Sequence, residues 1–150
     1  MFIFKIQKEY LIFRRKMEKN IIYNRLEIYA NKKKCCYFKK KNTLLNKDWK
    51  YSSLLDFSKS VPVKNCFDNI EMIKQWGCYT NCFDVKVNNK SNTSIVYVFK
   101  TGKFAPILWV IKISRIYPKI IFNLTFNTSD KTKTGFINIK NSIITGYKEL

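Results

Sequence analysis

The side chains of this chain that could do chemistry are thiols, carboxylates and lysines, because the sequence contains no histidine. Histidine is the usual general base near neutral pH, and its absence excludes every histidine-dependent triad. A catalytic acid needs a second titrating group that sets its pKa, and the spacing of Asp56, Asp68 and Glu71 shows no such pairing. We therefore predict a protein that is not an enzyme and that has no catalytic residue.

Five cysteines could serve as thiolate metal ligands: Cys35, Cys36, Cys66, Cys78 and Cys82. Structural zinc sites use cysteine pairs separated by a few residues, and only Cys78 and Cys82 have that spacing. Ordinary buried or half-buried thiols are the favoured interpretation, with no metal and no cofactor. An odd number of cysteines without a secretory signal favours a reducing compartment, so we predict a cytoplasmic protein.

The formal net charge of +19 is the strongest compositional feature. Abundant Lys, Ile and Asn, which have AT-rich codons, indicate an AT-rich genome as one origin of this charge. Attraction to phosphate polymers is the other interpretation. Six lysines concentrate the charge on one segment, and they form either a solvated helix face or a set of nucleic-acid contacts: Lys32, Lys33, Lys34, Lys39, Lys40 and Lys41.

Residues 1–16 alternate apolar and charged side chains, and no apolar run approaches the roughly 20 residues that cross a bilayer. We interpret residues 1–16 as an N-terminal extension, which is either an added edge strand or helix or a segment upstream of a natural start at Met17. A single domain is predicted over residues 17–147, followed by a tail over residues 148–150. A hydrophobic content of 46% indicates that most of this domain folds around a core.

The pattern of the sequence predicts alternating strands and helices. Residues 21–30 alternate as a strand, and Asn31 is placed to cap a helix over residues 32–41. A helical turn is predicted between residues 64 and 73, followed by a loop over residues 75–84. Further strands are predicted over residues 85–87, 94–101, 119–126, 135–140 and 142–147. The fold class is therefore α+β, a sandwich of one antiparallel sheet with helices packed on one face.

A helix is predicted over residues 104–117, with Pro106 in its first turn and Pro118 at its end. The apolar face assigned to it consists of Ile107, Val110, Ile111, Ser114 and Tyr117.

Four segments of the chain resemble, in this order, the ferredoxin-like domain of small phage, plasmid and giant-virus proteins, the YubB-like group. They are IYNRLEIYANKKKCCYFKK, LLDFSKSVP, IKQWGCYTNCFDV and FKTGKFAPILWVIKISRIYPKIIFNLTF. Tyr23 and Asn24 match the aromatic-Asn step of the opening strand. Trp76, Gly77 and Asp84 fit the Trp-Gly loop of the group.

The junction between strand and helix also fits the group, through Phe99, Thr101 and Pro106. Thr80 and Lys103 stand where the pattern of the group has tryptophan. The resemblance implies a ferredoxin-like sandwich and a viral or mobile-element origin. It implies no reaction and no substrate, because the group is functionally uncharacterised.

Two surfaces are candidates for binding. A ligand or partner surface is predicted at Trp76, Tyr79, Asp84, Lys103, Phe104 and Trp109. For Trp76 the favoured interpretation is packing of its indole against the helix over residues 104–117, and a ligand pocket is the alternative. Asp84 is placed to cap the loop or to pair with Lys100 or Lys103. For a nucleic-acid alternative, strand aromatics supply stacking rings: Tyr97, Phe99, Phe122 and Phe126.

The leading interpretation is a small cytoplasmic accessory protein that binds an unknown protein partner or ligand and does not cross a membrane. The alternative is a basic protein that binds RNA or single-stranded DNA.

Overall fold

A computed structural model describes residues 20–45, 53–65 and 68–150 of the chain. Six strands run over Ile21–Tyr29 (β1), Phe83–Ser91 (β2), Ser94–Gly102 (β3), Ile121–Thr128 (β4), Thr134–Lys140 (β5) and Ile143–Lys148 (β6). Three α-helices run over Lys32–Asn42 (α1), Asn69–Trp76 (α2) and Ile107–Ile116 (α3), and a 3₁₀ turn covers Phe57–Lys59. The predicted extension over residues 1–16, the start at Met17 and Cys66 lie outside the described residues.

The strands form one sheet in the order β2-β3-β1-β4-β5-β6, and every neighbouring pair is antiparallel. The helices pack on one side of it, so the predicted α+β class and antiparallel sandwich are confirmed. Elements β1, α1, β2, β3, α3 and β4 follow the ferredoxin-like chain order, with β1 and β3 at the centre. The hairpin of β5 and β6 extends the sheet beyond this unit.

Capping residues mark the ends of helices α1 and α2. The side chain of Asn31 caps α1 as predicted, accepting from the backbone N–H of Lys34 at 2.9 Å. Helix α2 is longer than the single turn predicted, because Asp68 caps it by accepting from the backbone N–H groups of Ile70 and Glu71. It ends at Gly77, which has a φ of +83° and donates its N–H to the carbonyl of Ile73.

Two boundaries predicted from the sequence are wrong. Gln75 and Trp76 belong to α2 and not to the following loop. Strand β2 continues to Ser91, because pairing with β3 carries the polar residues 88–91 into the sheet. The turn between the two strands is therefore confined to Asn92 and Thr93.

Aromatic side chains around Phe57 form the centre of the core. The Phe57 ring stacks on Trp109 with centroids 4.3 Å apart and meets Trp76 and Phe99 edge-on at 5.6 and 5.7 Å. Tyr97, Phe99, Phe122 and Phe126, predicted to stack on bases, are all buried on the same side of the sheet as the helices. That prediction is wrong because these rings fill the space between sheet and helices.

A buried polar side chain ties β1 to the junction between β3 and α3. Asn24 interrupts the apolar face of β1 and is 2% exposed. Its Nδ2 donates to Thr101 Oγ1 at 2.9 Å, and Thr101 Oγ1 donates to the carbonyl of Phe104 at 2.8 Å. This chain of hydrogen bonds fixes the position of Phe104, which borders the site described next.

Candidate functional site

An open groove of about 1080 Å³ lies between α3 and the part of the sheet that extends beyond the ferredoxin-like unit. Ile107, Leu108 and Ile111 of α3 form one wall of the groove. Its floor includes side chains from three neighbouring strands, Phe126, Ile137, Ile144 and Tyr147, and polar residues of the turn between β4 and β5, Asp130 and Lys133 among them, line its margin. Ile144 is 48% exposed and Tyr147 is 47% exposed, so the last strand presents apolar surface that no described residue covers.

Sequence reasoning missed this groove because of an irregularity in β6. Strict alternation places Ile144 and Tyr147 on opposite faces of a strand. The pairing of β5 with β6 shifts register between Asn138 and Ile139, so Ile144 lies opposite Ile139 and Tyr147 lies opposite Ile137. Both side chains consequently point toward the helical side. The only sequence signal for this was the number of apolar residues in so short a strand.

Three of the predicted surface residues lie together at one end of the groove. The Tyr79 and Phe104 rings meet edge-on with centroids 5.9 Å apart. The Nζ of Lys103 lies 4.7 Å from the Tyr79 centroid and 5.5 Å from that of Phe104, and it donates to the Tyr79 hydroxyl at 3.1 Å. Lys103 and Phe104 also line the groove. The ammonium group of Lys103 therefore contacts both rings at the groove entrance.

The other three predicted surface residues lie elsewhere. Trp76 and Trp109 are buried, and their indole Nε1 atoms donate to the carbonyls of Val61 and Phe57 at 2.8 and 3.2 Å. Neither ring presents a face to solvent. Asp84 pairs with Lys100 at 2.9 Å. The hydrogen bond with this carboxylate raises the pKa of Lys100.

The six lysines of α1 lie at its two ends. Lys32, Lys33, Lys40 and Lys41 are exposed, and Lys34 and Lys39 are half-buried. The Nζ of Lys41 lies 5.6 Å from the ring centroid of Tyr37, which is also exposed. Their role as nucleic-acid contacts stays a prediction.

The geometry can be compared with known proteins. No protein-family model matches the chain, and no curated protein matches it in sequence. The crystal structure of protein api92 from Yersinia pseudotuberculosis, assigned to the DUF1281 family, is similar to it with a TM-score of 0.66. The match covers 87% of this chain and 98% of that one, at 6% sequence identity. At this identity the likeness shows the fold alone.

The described carboxylates take part in local structure. Asp56 and Asp68 accept hydrogen bonds at the starts of the 3₁₀ turn and of α2, and Glu71 accepts from the backbone N–H of Lys64. Asp130 accepts from Thr128 and Thr132 in a turn, and the hydrogen bond from Thr128 is the main reason that its pKa falls to about 2. Within residues 20–45, 53–65 and 68–150, no three Cys, Asp or Glu side chains are close enough to hold a metal ion.

None of the described helices is long and apolar enough to span a membrane. The longest of them, α1, has 11 residues, whereas a bilayer span needs roughly 20.

The thiols differ in accessibility. Cys78 and Cys82 are buried, and their Sγ atoms donate to the carbonyls of Thr80 and Leu55 at 3.1 and 3.0 Å. Burial raises the pKa of both thiols, and the charge of Asp56 raises that of Cys82 further. Cys36 on α1 is exposed. The two buried thiols therefore stay protonated in the folded protein and are poor nucleophiles.

This burial predicts a loss of stability in alkaline solution. The unfolded Cys78 thiol ionises near its ordinary pKa of 9.0, and the folded thiol does not. The contribution of Cys78 to stability is thus complete below pH 9.0 and is lost as the pH rises above it. Between about pH 8 and pH 10.5 this loss amounts to about 2 kcal/mol.

Urea unfolding at both pH values measures this effect. We expect Cys78→Ala to reduce the difference between the two unfolding free energies by that amount. An unaltered pH dependence in Cys78→Ala would show that the thiol ionises equally in both states.

Proposed function

We propose that this protein is a non-enzymatic binding protein whose groove holds an extended apolar segment of a partner protein. The observation that carries the proposal is the groove between α3 and the β5–β6 hairpin, where Leu108, Ile144 and Tyr147 remain accessible. Exposed apolar surface of this kind is typical of interaction sites.

The position of β6 favours an extended occupant. This strand pairs with β5 on one side, and among the described residues no strand pairs with its other side. An added strand there gains backbone hydrogen bonds, and every second side chain points toward the groove. The edge therefore supplies affinity, and the apolar floor supplies selectivity for apolar side chains.

A binding role without catalysis agrees with the use of the polar groups. The buried carboxylate of Asp56 accepts hydrogen bonds from Ser58 and Asn81, and the thiols of Cys78 and Cys82 donate hydrogen bonds to backbone carbonyls. None of these groups is held ready for proton transfer or nucleophilic attack.

We further propose that the chain is a cytoplasmic member of the YubB-like group, of viral or mobile-element origin. The four ordered sequence segments and the AT-rich residue usage support this assignment. The structural likeness to api92 agrees with the fold that the resemblance implies.

Selection of peptides tests the groove with defined probes. Random peptides displayed on phage are selected on the immobilised full chain, and the selected peptides are measured as synthetic ligands. We expect peptides with apolar residues at alternate positions. Ile144→Asp should weaken them by about tenfold or more, because the binding energy of one buried isoleucine is lost.

Ile143 supplies a matched control because it is the neighbouring residue on β6 and lies opposite Lys140, on the side away from the groove. Ile143→Asp introduces the same charge and should leave the affinity unchanged. The proposal is contradicted if no peptide is enriched, or if both variants weaken binding equally. A photocrosslink from position 147 that reaches only the chain's own residues also contradicts it, since the groove is then filled from within.

A further inference from the structure

The sheet has a second face, opposite the helices and the groove, on which no described residue packs. On β1 this face carries Tyr23, Arg25, Glu27 and Tyr29, which alternate with the buried residues of the same strand. Tyr23 is 40% exposed and Tyr29 is 38% exposed. We call this surface the open face.

Antiparallel register aligns cationic and aromatic side chains in rows across the open face. One row crosses all six strands from edge to edge, and its members are Lys86, Val98, Arg25, Thr125, Phe136 and Lys148. The adjacent row contains Lys100, Tyr23, Asn127 and Thr134. The first row therefore has a lysine at each edge and an arginine near its middle.

A depression of about 480 Å³ lies where these two rows meet. Tyr23, Arg25, Phe136 and Lys148 line it together with Asn127 and other polar residues of β4 and β5. Neighbouring strands are about 4.8 Å apart and each residue advances about 3.4 Å along a strand. Tyr23 and Phe136, two strands and two residues apart, are therefore separated by roughly 12 Å. That distance suits two bases of one strand, each on its own ring, and not one base between two rings.

The charges of the open face suit a polyanion. Two carboxylates, those of Glu27 and Asp84, lie on this face. Five cationic side chains lie on it as well: Arg25, Lys86, Lys100, Lys140 and Lys148. Arg25 pairs with Glu27 through Nη2, while its Nε donates to no described group. Lys100 lies over the ring of Tyr23 at 5.4 Å while it pairs with Asp84. The net charge of +19 adds long-range attraction to this local pattern.

We propose that the open face binds single-stranded RNA, with bases stacked on Tyr23 and Phe136 and phosphates held by Lys86, Arg25 and Lys148. Stacking on aromatic rings beside a cationic track is the usual way in which proteins bind single strands. The amide and hydroxyls that line the path between the rings can hydrogen-bond the ribose 2′-OH, and for this reason RNA is the occupant assigned and not DNA: Thr125, Asn127 and Thr134.

The lysines of α1 belong to a different surface. Helix α1 packs on the other side of the sheet, where Phe38 contacts Tyr97 and Phe122. Variants of Lys32–Lys34 therefore distinguish binding at α1 from binding on the open face.

Fluorescence anisotropy of the full chain with a labelled oligouridylate of about 12 nucleotides tests the proposal. We expect the logarithm of the affinity to fall linearly with the logarithm of salt concentration between about 50 and 200 mM. Tyr23→Leu and Phe136→Leu should each weaken binding by about tenfold, because each removes one stacking ring. Tyr23→Phe keeps the ring and should bind as the unaltered chain does.

Controls separate stacking on the open face from general attraction. Tyr37→Leu removes an exposed ring from α1 and should have no effect, and oligothymidylate of the same length should bind more weakly than the RNA. Melting curves confirm that each variant is folded. Absence of RNA binding, equal binding of the DNA, or loss of binding on changing Lys32, Lys33 and Lys34 to Gln while Tyr23→Leu still binds would overturn the proposal.

Discussion

Trp109→Ala is expected to lower the free energy of unfolding by about 3–5 kcal/mol, the range found for deletion of a large buried aromatic side chain. Trp109 is completely buried on α3, and its ring stacks on Phe57 at 4.3 Å. Alanine leaves a cavity next to Phe57, and it leaves the carbonyl of that residue without the indole donor at 3.2 Å. Since domains are stable by only about 5–15 kcal/mol, this single change removes a large part of the total.

Urea unfolding followed by far-ultraviolet circular dichroism measures the effect. Leu108→Ala is the matched control because Leu108 precedes Trp109 on the same helix and is 39% exposed on the groove side. We expect it to cost less than about 1 kcal/mol, as half-exposed side chains contribute less apolar burial. Trp109→Phe keeps a ring against Phe57 and should fall between the two. Equal midpoints for Trp109→Ala and Leu108→Ala would show that Trp109 does not anchor the core.

The buried face of α3 shows where sequence periodicity stops being informative. Residues 107–116, ILWVIKISRI, are apolar at so many positions that several stripes of the helix satisfy a period of 3.6. Of the predicted stripe, Val110 and Ser114 are buried and Ile107, Ile111 and Tyr117 are half-buried against the core. The stripe left out Trp109 and Ile113, which are fully buried. Tertiary contact with Phe57, about 50 residues earlier in the chain, selects the stripe. By contrast, the alternation predicted for residues 21–30 is observed in β1, where every second side chain is buried.

Tertiary contacts also explain which of the predicted site residues lie together. Tyr79, Lys103 and Phe104 come together because the turn after α2 and the turn after β3 are joined through hydrogen bonds between residues 79–80 and Gly102. In the sequence, this contact was indicated by the order in which the Trp-Gly loop and the junction between strand and helix follow each other. The burial of Trp76 agrees with the packing role favoured from the sequence. The burial of Trp109 was not predicted, since a tryptophan in a mixed sequence suits a core and a pocket equally well. The groove and the open face depend on register and on sheet width, which no local pattern encodes.

Gly135→Ala is expected to cost about 3 kcal/mol, at the upper end of the range for overpacking. Gly135 lies on β5 opposite Phe126 of β4. A Cβ at this position would be 2.4 Å from Cε2 of the Phe126 ring and 2.6 Å from the carbonyl oxygen of Lys148. The ring is buried and cannot swing aside, and the oxygen belongs to the backbone of β6. The methyl group must therefore push β6 away from β5 or displace a core ring.

Gly146→Ala on the adjacent strand is the matched control. Its Cβ would meet Phe136 Cε2 at 3.0 Å and Asn138 Nδ2 at 3.1 Å, and both atoms are the far ends of side chains that can move. We expect a cost below about 1 kcal/mol for this variant, because interiors resist added volume only where neighbours are fixed. The urea unfolding midpoints of the two variants measure this difference in stability. If Gly146→Ala were as costly as Gly135→Ala, the close approach of Phe126 and β6 to Gly135 would not be the cause.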